Sequence, residues 1–117
     1  IILFMLQDLL TQLRHKTANF ADVIRFIEER YTHEPTAFRN GDQQNAATEN
    51  QGSAKVLAFA QAQGISAEDT LVLFGEHYSA VLANPEGSDH QNIRQFMQHG
   101  WSGISFAEPV LSQRQES

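Results

Sequence analysis

Cysteine is missing from all 117 residues, which excludes disulfides, thiolate zinc sites and a cysteine nucleophile together. The fold must hold by packing alone, a condition that suits the cytoplasm. Basic residues are few: eight Lys and Arg against fourteen Asp and Glu leave a net charge of −6. No basic stripe is visible, so nucleic acid is not an expected partner. Long apolar runs are also lacking. The opening run from Ile1 to Leu6 is stopped by Gln7 and Asp8, well short of the ~20 residues of a membrane span, so no membrane is expected as a partner either. That run has neither the basic start nor the small-residue cleavage site of a signal peptide, and a start at isoleucine gives Ile1 to Met5 little weight. There is no His-Glu-x-x-His pattern, no Gly-x4-Gly-Lys loop, no Gly-x-Ser-x-Gly elbow and no internal repeat.

What is present is a series of amphipathic segments. Leu6, Leu9, Leu10 and Leu13 share one helix face, ending near His15 and Lys16. Asn19 is a plausible N-cap for a second helix with a stripe of Phe20, Val23, Ile24, Ile27 and Tyr31. Periodicity then disappears from Thr32 to Gly52, and Phe38 is the large apolar residue expected to anchor this long ordered loop. Ser53 is expected to cap a third helix that stops at Gly64. Ser66 opens a fourth, read as about four turns with Leu71, Phe74, Gly75, Tyr78 and Leu82 on its buried face. A fifth runs from about His90 to His99, with Ile93, Phe96 and Met97 inward and Gly100 as its stop. The expected architecture is therefore all-α: a single domain over 1–111 of about five helices and a long ordered loop, with room for one short strand pair, followed by a frayed tail over 112–117.

The polar residues of Pro85 to Trp101 are unusually particular for a surface segment. Asp89 reads first as the N-cap of the fifth helix. His90 would then hold the first helical position, where the helix dipole disfavours the imidazolium, and Arg94 shares its face one turn on. A neutral imidazole beside a guanidinium at a helix start suits an anion, provided that an Arg94 nitrogen is free. The bland alternative is that Arg94 pairs internally, with a carboxylate such as Glu76 or Glu86. The pairs Glu76-His77 and Asp89-His90 could converge, but adjacent residues point to different sides of a helix, and no metal or other cofactor is expected. Gly52-Ser53-Ala54-Lys55 opens a helix with free N–H groups beside a lysine, a weak anion signal. The candidate binding residues are Asn40, Asn50, Lys55, Asp89, His90, Asn92 and Arg94. Their partner is either another protein or a small anion, and the chain is a monomer or a homodimer.

The order of motifs resembles the HopJ-type family, named after proteins injected through bacterial type III secretion. The resemblance covers roughly Leu6 to Phe106. It rests on FADVIRFIEERY, PTAFRNG, NQGSAKVLAFAQAQG and DTLVLFGEHY, and most specifically on VLANPEGSDHQNIRQFMQHGWSGISF. Ala54 stands where the family often has Cys, and Glu76-His77 precede Tyr78 where it tends to be more aromatic. The resemblance implies a small bacterial protein and carries no activity over to any residue. No Ser-rich leader is visible, so a cytoplasmic protein is expected before a secreted one. Two functional readings follow: a helical interaction module first, and a small-ligand or anion-binding protein or enzyme with a polar cleft second.

Overall fold

The computed structural model describes residues 2–113. Helix α1 (Ile2–Arg14) leads to α2 (Phe20–Glu28), then to three short strands, β1 (Tyr31–His33), β2 (Phe38–Asn40) and β3 (Gln43–Asn45). Helices α3 (Gln51–Gln63), α4 (Ala67–Val72), α5 (Glu76–Ala83) and α6 (Gln91–His99) follow. A 3-10 turn over Gly100–Gly103 then feeds β4 (Ile104–Phe106) and β5 (Leu111–Gln113). The all-α expectation is overturned: five strands form two small antiparallel sheets, and the fold is mixed α/β.

The apolar stripes do most of the assembly. Leu6, Leu9, Leu10 and Leu13 are all buried on α1, and Val23 and Ile27 on α2. They join Val56, Leu57 and Phe59 of α3, Phe74, and Ile93 and Phe96 of α6 in one cluster. Asn19 caps α2 through a reciprocal box in which its side chain accepts from the Asp22 N–H and Asp22 accepts from the Asn19 N–H. Ser66 caps α4 by accepting from the Asp69 N–H.

The segment from Thr32 to Gly52 contains a hairpin over Phe38–Asn45, flanked by the end of β1 and the start of α3, and is not irregular throughout. Strand β2 pairs with β3 across a two-residue turn at Gly41-Asp42, and on its other edge with β4. Phe38 is 4% exposed and lies against Phe106, its partner in the β2–β4 register. The buried anchor is therefore present, held in a sheet. The second sheet pairs Tyr31 with Gln113, Thr32 with Ser112 and His33 with Leu111. This corrects the frayed tail: Ser112 and Gln113 are strand residues, while 114–117 lie outside the described residues.

Three further expectations are corrected. The long fourth helix is two helices, because Gly75 breaks it at φ +58°. A Cβ at Gly75 would stand 3.1 Å from the backbone nitrogen of Phe20, so this glycine serves close approach at a turn and not along a helix face. Leu82 and Met97, expected inward, are 55% and 44% exposed. Helix α3 starts earlier than a Ser53 cap requires. Its N-cap is Asn50, which takes the left-handed conformation that Asn tolerates better than most residues.

Candidate functional site

The structure divides the seven candidate residues among distinct places. Asn40, Asn92 and Asn50 belong to an amide network that also includes Asn45. Asn45 and Asn92 pair reciprocally, each Nδ2 donating to the other's Oδ1 at 3.1 Å. Asn40 Nδ2 donates to the Asn92 backbone oxygen at 2.7 Å and to its Oδ1 at 3.1 Å. Asn50 Nδ2 donates to Asn45 Oδ1 at 2.7 Å. Asn40, Asn45 and Asn92 are buried, so these bonds fasten the β2–β3 hairpin to α6 in a place where unpaired amides would be costly. One valence is left over: no donor reaches Asn40 Oδ1 among the described residues.

Arg94 makes a second, separate structure. Its Nε donates to the Asp89 backbone oxygen, its Nη1 to the Pro85 oxygen at 3.1 Å, and its Nη2 to the Asn84 oxygen at 3.0 Å and the Asp89 carboxylate at 2.7 Å. Every guanidinium nitrogen has an acceptor, and the side chain is only 13% exposed. Neither Glu76 nor Glu86 is its partner; the acceptors are one carboxylate and three carbonyls. Asn84 is the C-cap of α5, so Arg94 closes the end of that helix as well as the turn after it. The glycine of Pro85-Glu86-Gly87 makes room for this, since a Cβ at Gly87 would stand 2.8 Å from Arg94 Nη2. Asp89 is not the N-cap of α6, because its carboxylate is turned to Arg94. That hydrogen bond, assisted by the charges of His90 and Arg94, holds the Asp89 carboxyl below the usual carboxylate range. His90 is the N-cap instead, left-handed at φ +51° and without a side-chain cap bond.

Lys55 goes elsewhere. Its Nζ pairs with Glu28 Oε2 on α2 at 2.8 Å, and its side chain is 16% exposed.

A pocket of about 420 Å³ opens between the starts of α3 and α6. Asn50, Gly52 and Ser53 line it from one helix start, and His90, Gln91 and Asn92 from the other. Phe20, Phe74 and His77 supply the remaining wall. The two acid–histidine pairs do converge here, but only through their histidines. The rings of His77 and His90 are 5.1 Å apart, while Glu76 turns away to accept the Phe20 N–H at 2.7 Å. Four candidates stay out of the pocket lining: Asn40, Lys55, Asp89 and Arg94. His77, Phe20 and Gln91 line the pocket without being among the candidate binding residues. Only the paired spacing of Glu76-His77 and Asp89-His90 hinted at the first of them. Among the described residues, no group of three or more acidic or histidine side chains is placed to share a metal, and no helix is long and apolar enough to cross a membrane.

No curated protein matches the chain. A solved structure titled "Crystal structure of unknown function protein VPA0580" has the same fold, with a TM-score of 0.84 and 41% identity over 92% of each chain. The HopJ type III effector protein family matches residues 6–111, nearly the whole sequence, and the chain belongs to that family.

Proposed function

We propose that the protein binds a small oxyanion, a carboxylate or a phosphate group, in the pocket between the starts of α3 and α6. One observation carries this reading: two helix N-termini line the same cavity, and neither is capped by a side chain. The first N–H groups of a helix have no partner within it, and the aligned peptide dipoles place partial positive charge there. Two such ends facing one space favour an anion more than either does alone. The carboxylates next in sequence to the pocket residues His90, His77 and Asn50 are engaged elsewhere, Asp89 with Arg94, Glu76 with the Phe20 N–H and Glu49 with the Ala46 N–H. Arg94 has no part in the binding and supports the α6 start from behind.

Gly52→Asp tests the reading. A Cβ at Gly52 would meet only the Phe20 ring, at 3.6 Å, so the substitution fits. It places a carboxylate in the first turn of α3, where it serves as an internal anion. The variant is expected to melt higher than the parent and to gain nothing from added phosphate, whereas the parent's melting temperature rises with phosphate. Equal phosphate shifts in the two proteins would remove the anion site.

A second reading, a helical interaction module, is favoured by exposed Leu82 and Met97, which with Val81 and Pro85 line a groove of about 320 Å³ between α5 and α6. Sedimentation checks it for a homodimer. A concentration-dependent dimer that is lost in Leu82→Glu supports this reading, and a monomer in both proteins opposes it.

A further inference from the structure

We infer that the occupant of the α3–α6 pocket is a planar unsaturated ring carrying an oxyanion, with the ring against Phe20, His77 and His90. This rests on the anion-binding reading above and names the class of ligand.

The inference comes from the rings that line the cavity beside the helix starts, the last of them at the α6 start itself. Four rings follow one another there. Phe74 and Phe20 are stacked at 6.0 Å and 9°, Phe20 and His77 meet edge to face at 4.8 Å and 67°, and His77 and His90 lie 5.1 Å apart at 38°. The series runs from core to surface. Phe74 is 1% exposed, Phe20 and His77 are half-buried, and His90 is exposed. All four line the cavity. Among the described residues neither imidazole makes a side-chain hydrogen bond, although both rings line the cavity.

An inorganic ion alone has no use for such a wall. Phosphate and sulfate are bound by donors, and rings beside them add desolvation without a compensating contact. A planar ring is different: its faces and edges match those of Phe20 and His77 through complementary quadrupoles. The cavity volume is in the range that holds small organic molecules. Gly52 joins the two halves, because the bare backbone of the α3 start borders the Phe20 ring. A ligand of one ring and one acidic group spans both.

The test measures affinities of the full chain for acetate, benzoate, cyclohexanecarboxylate, inorganic phosphate and phenyl phosphate by calorimetry. Benzoate is expected to bind about threefold to tenfold more tightly than cyclohexanecarboxylate, and phenyl phosphate more tightly than inorganic phosphate by a similar factor. In His90→Asn, which removes a ring and keeps a residue that tolerates the left-handed conformation, the benzoate preference should fall towards one. Phe20→Leu gives a second reading of the same ratio from the other end of the wall. Equal binding of benzoate and cyclohexanecarboxylate, or a preference that survives both substitutions, overturns the ring inference. If acetate and phosphate still bind in that case, the anion reading stands without it. If no oxyanion binds, both fall.

Discussion

His90 and Arg94 stand one helical turn apart at the start of α6, and their surroundings are opposite. Arg94 is nearly enclosed, and each of its nitrogens has an acceptor within the protein. His90 is exposed, uncapped and beside a cavity. In a linear sequence the two look like one polar cluster. In space, one closes the turn behind the helix and the other faces the solvent in front of it. A concentration of specific polar residues can therefore mark order, and which of their valences the fold already uses separates scaffold from candidate.

The largest effect should come from the saturated side. Asn92→Ala removes the reciprocal pair with Asn45 and one bond from Asn40, leaving buried amides short of partners. A loss of about 2–4 kcal/mol in urea denaturation is expected. A change within about 0.5 kcal/mol, the usual scale of a surface substitution, would show that the amide network fastens nothing.

The comparison between the two α6 residues is sharpened by substituting each in turn. Arg94→Gln should cost about 1–3 kcal/mol, because its acceptors lose charge-assisted bonds. His90→Asn should change stability by less than about 0.5 kcal/mol, since Asn accepts the same backbone conformation. Comparable losses in the two would make His90 part of the scaffold and weaken the case for the pocket.

The smallest effect concerns pH. The folded carboxyl of Asp89 titrates below its unfolded value, mainly through the Arg94 hydrogen bond. The unfolded chain thus binds more protons between those two values, and this contribution to stability is present above the usual carboxylate range and lost as pH falls through the folded value. Asp89→Asn should flatten that part of the acid limb in a series of urea titrations. An unchanged limb would mean that the Asp89 carboxylate adds nothing to what the carbonyls already supply to Arg94.

Helices with strong local periodicity were legible from sequence. The leucine stripe of α1 and the Asn19 cap depend on residues within a few positions of one another, as do the stops at Gly64 and Gly100. Phe38 was legible as an anchor because it is a large apolar residue in polar surroundings, but the sheet around it was not. Strands of three residues are too short to display alternation, and β3, which reads Gln43-Gln44-Asn45, has no apolar residue at all. The pairing of β2 with β4 joins segments far apart in the chain. Gly75 misled for a related reason: the apolar pattern continues across it, while the break is set by its contact with the start of α2. Of the sequence's candidates, Asn50, His90 and Asn92 line the α3–α6 pocket, but the direction each faces is not written in the local pattern. Asn45 is not among the sequence's candidates and His77 enters only through its pairing with Glu76, because the partners of both are supplied by other elements.

The pairing of β1 with β5 has a kinetic consequence. Tyr31 meets Gln113 across a loop that contains most of the chain, so this small sheet closes against a larger entropy loss than any local hairpin. During synthesis β1 emerges well before β5 and must wait for its partner until the intervening helices have been made. Closing this pair before the elements between its strands have folded is therefore costly, and the exchange of its amide hydrogens is expected to report how far that intervening chain has assembled.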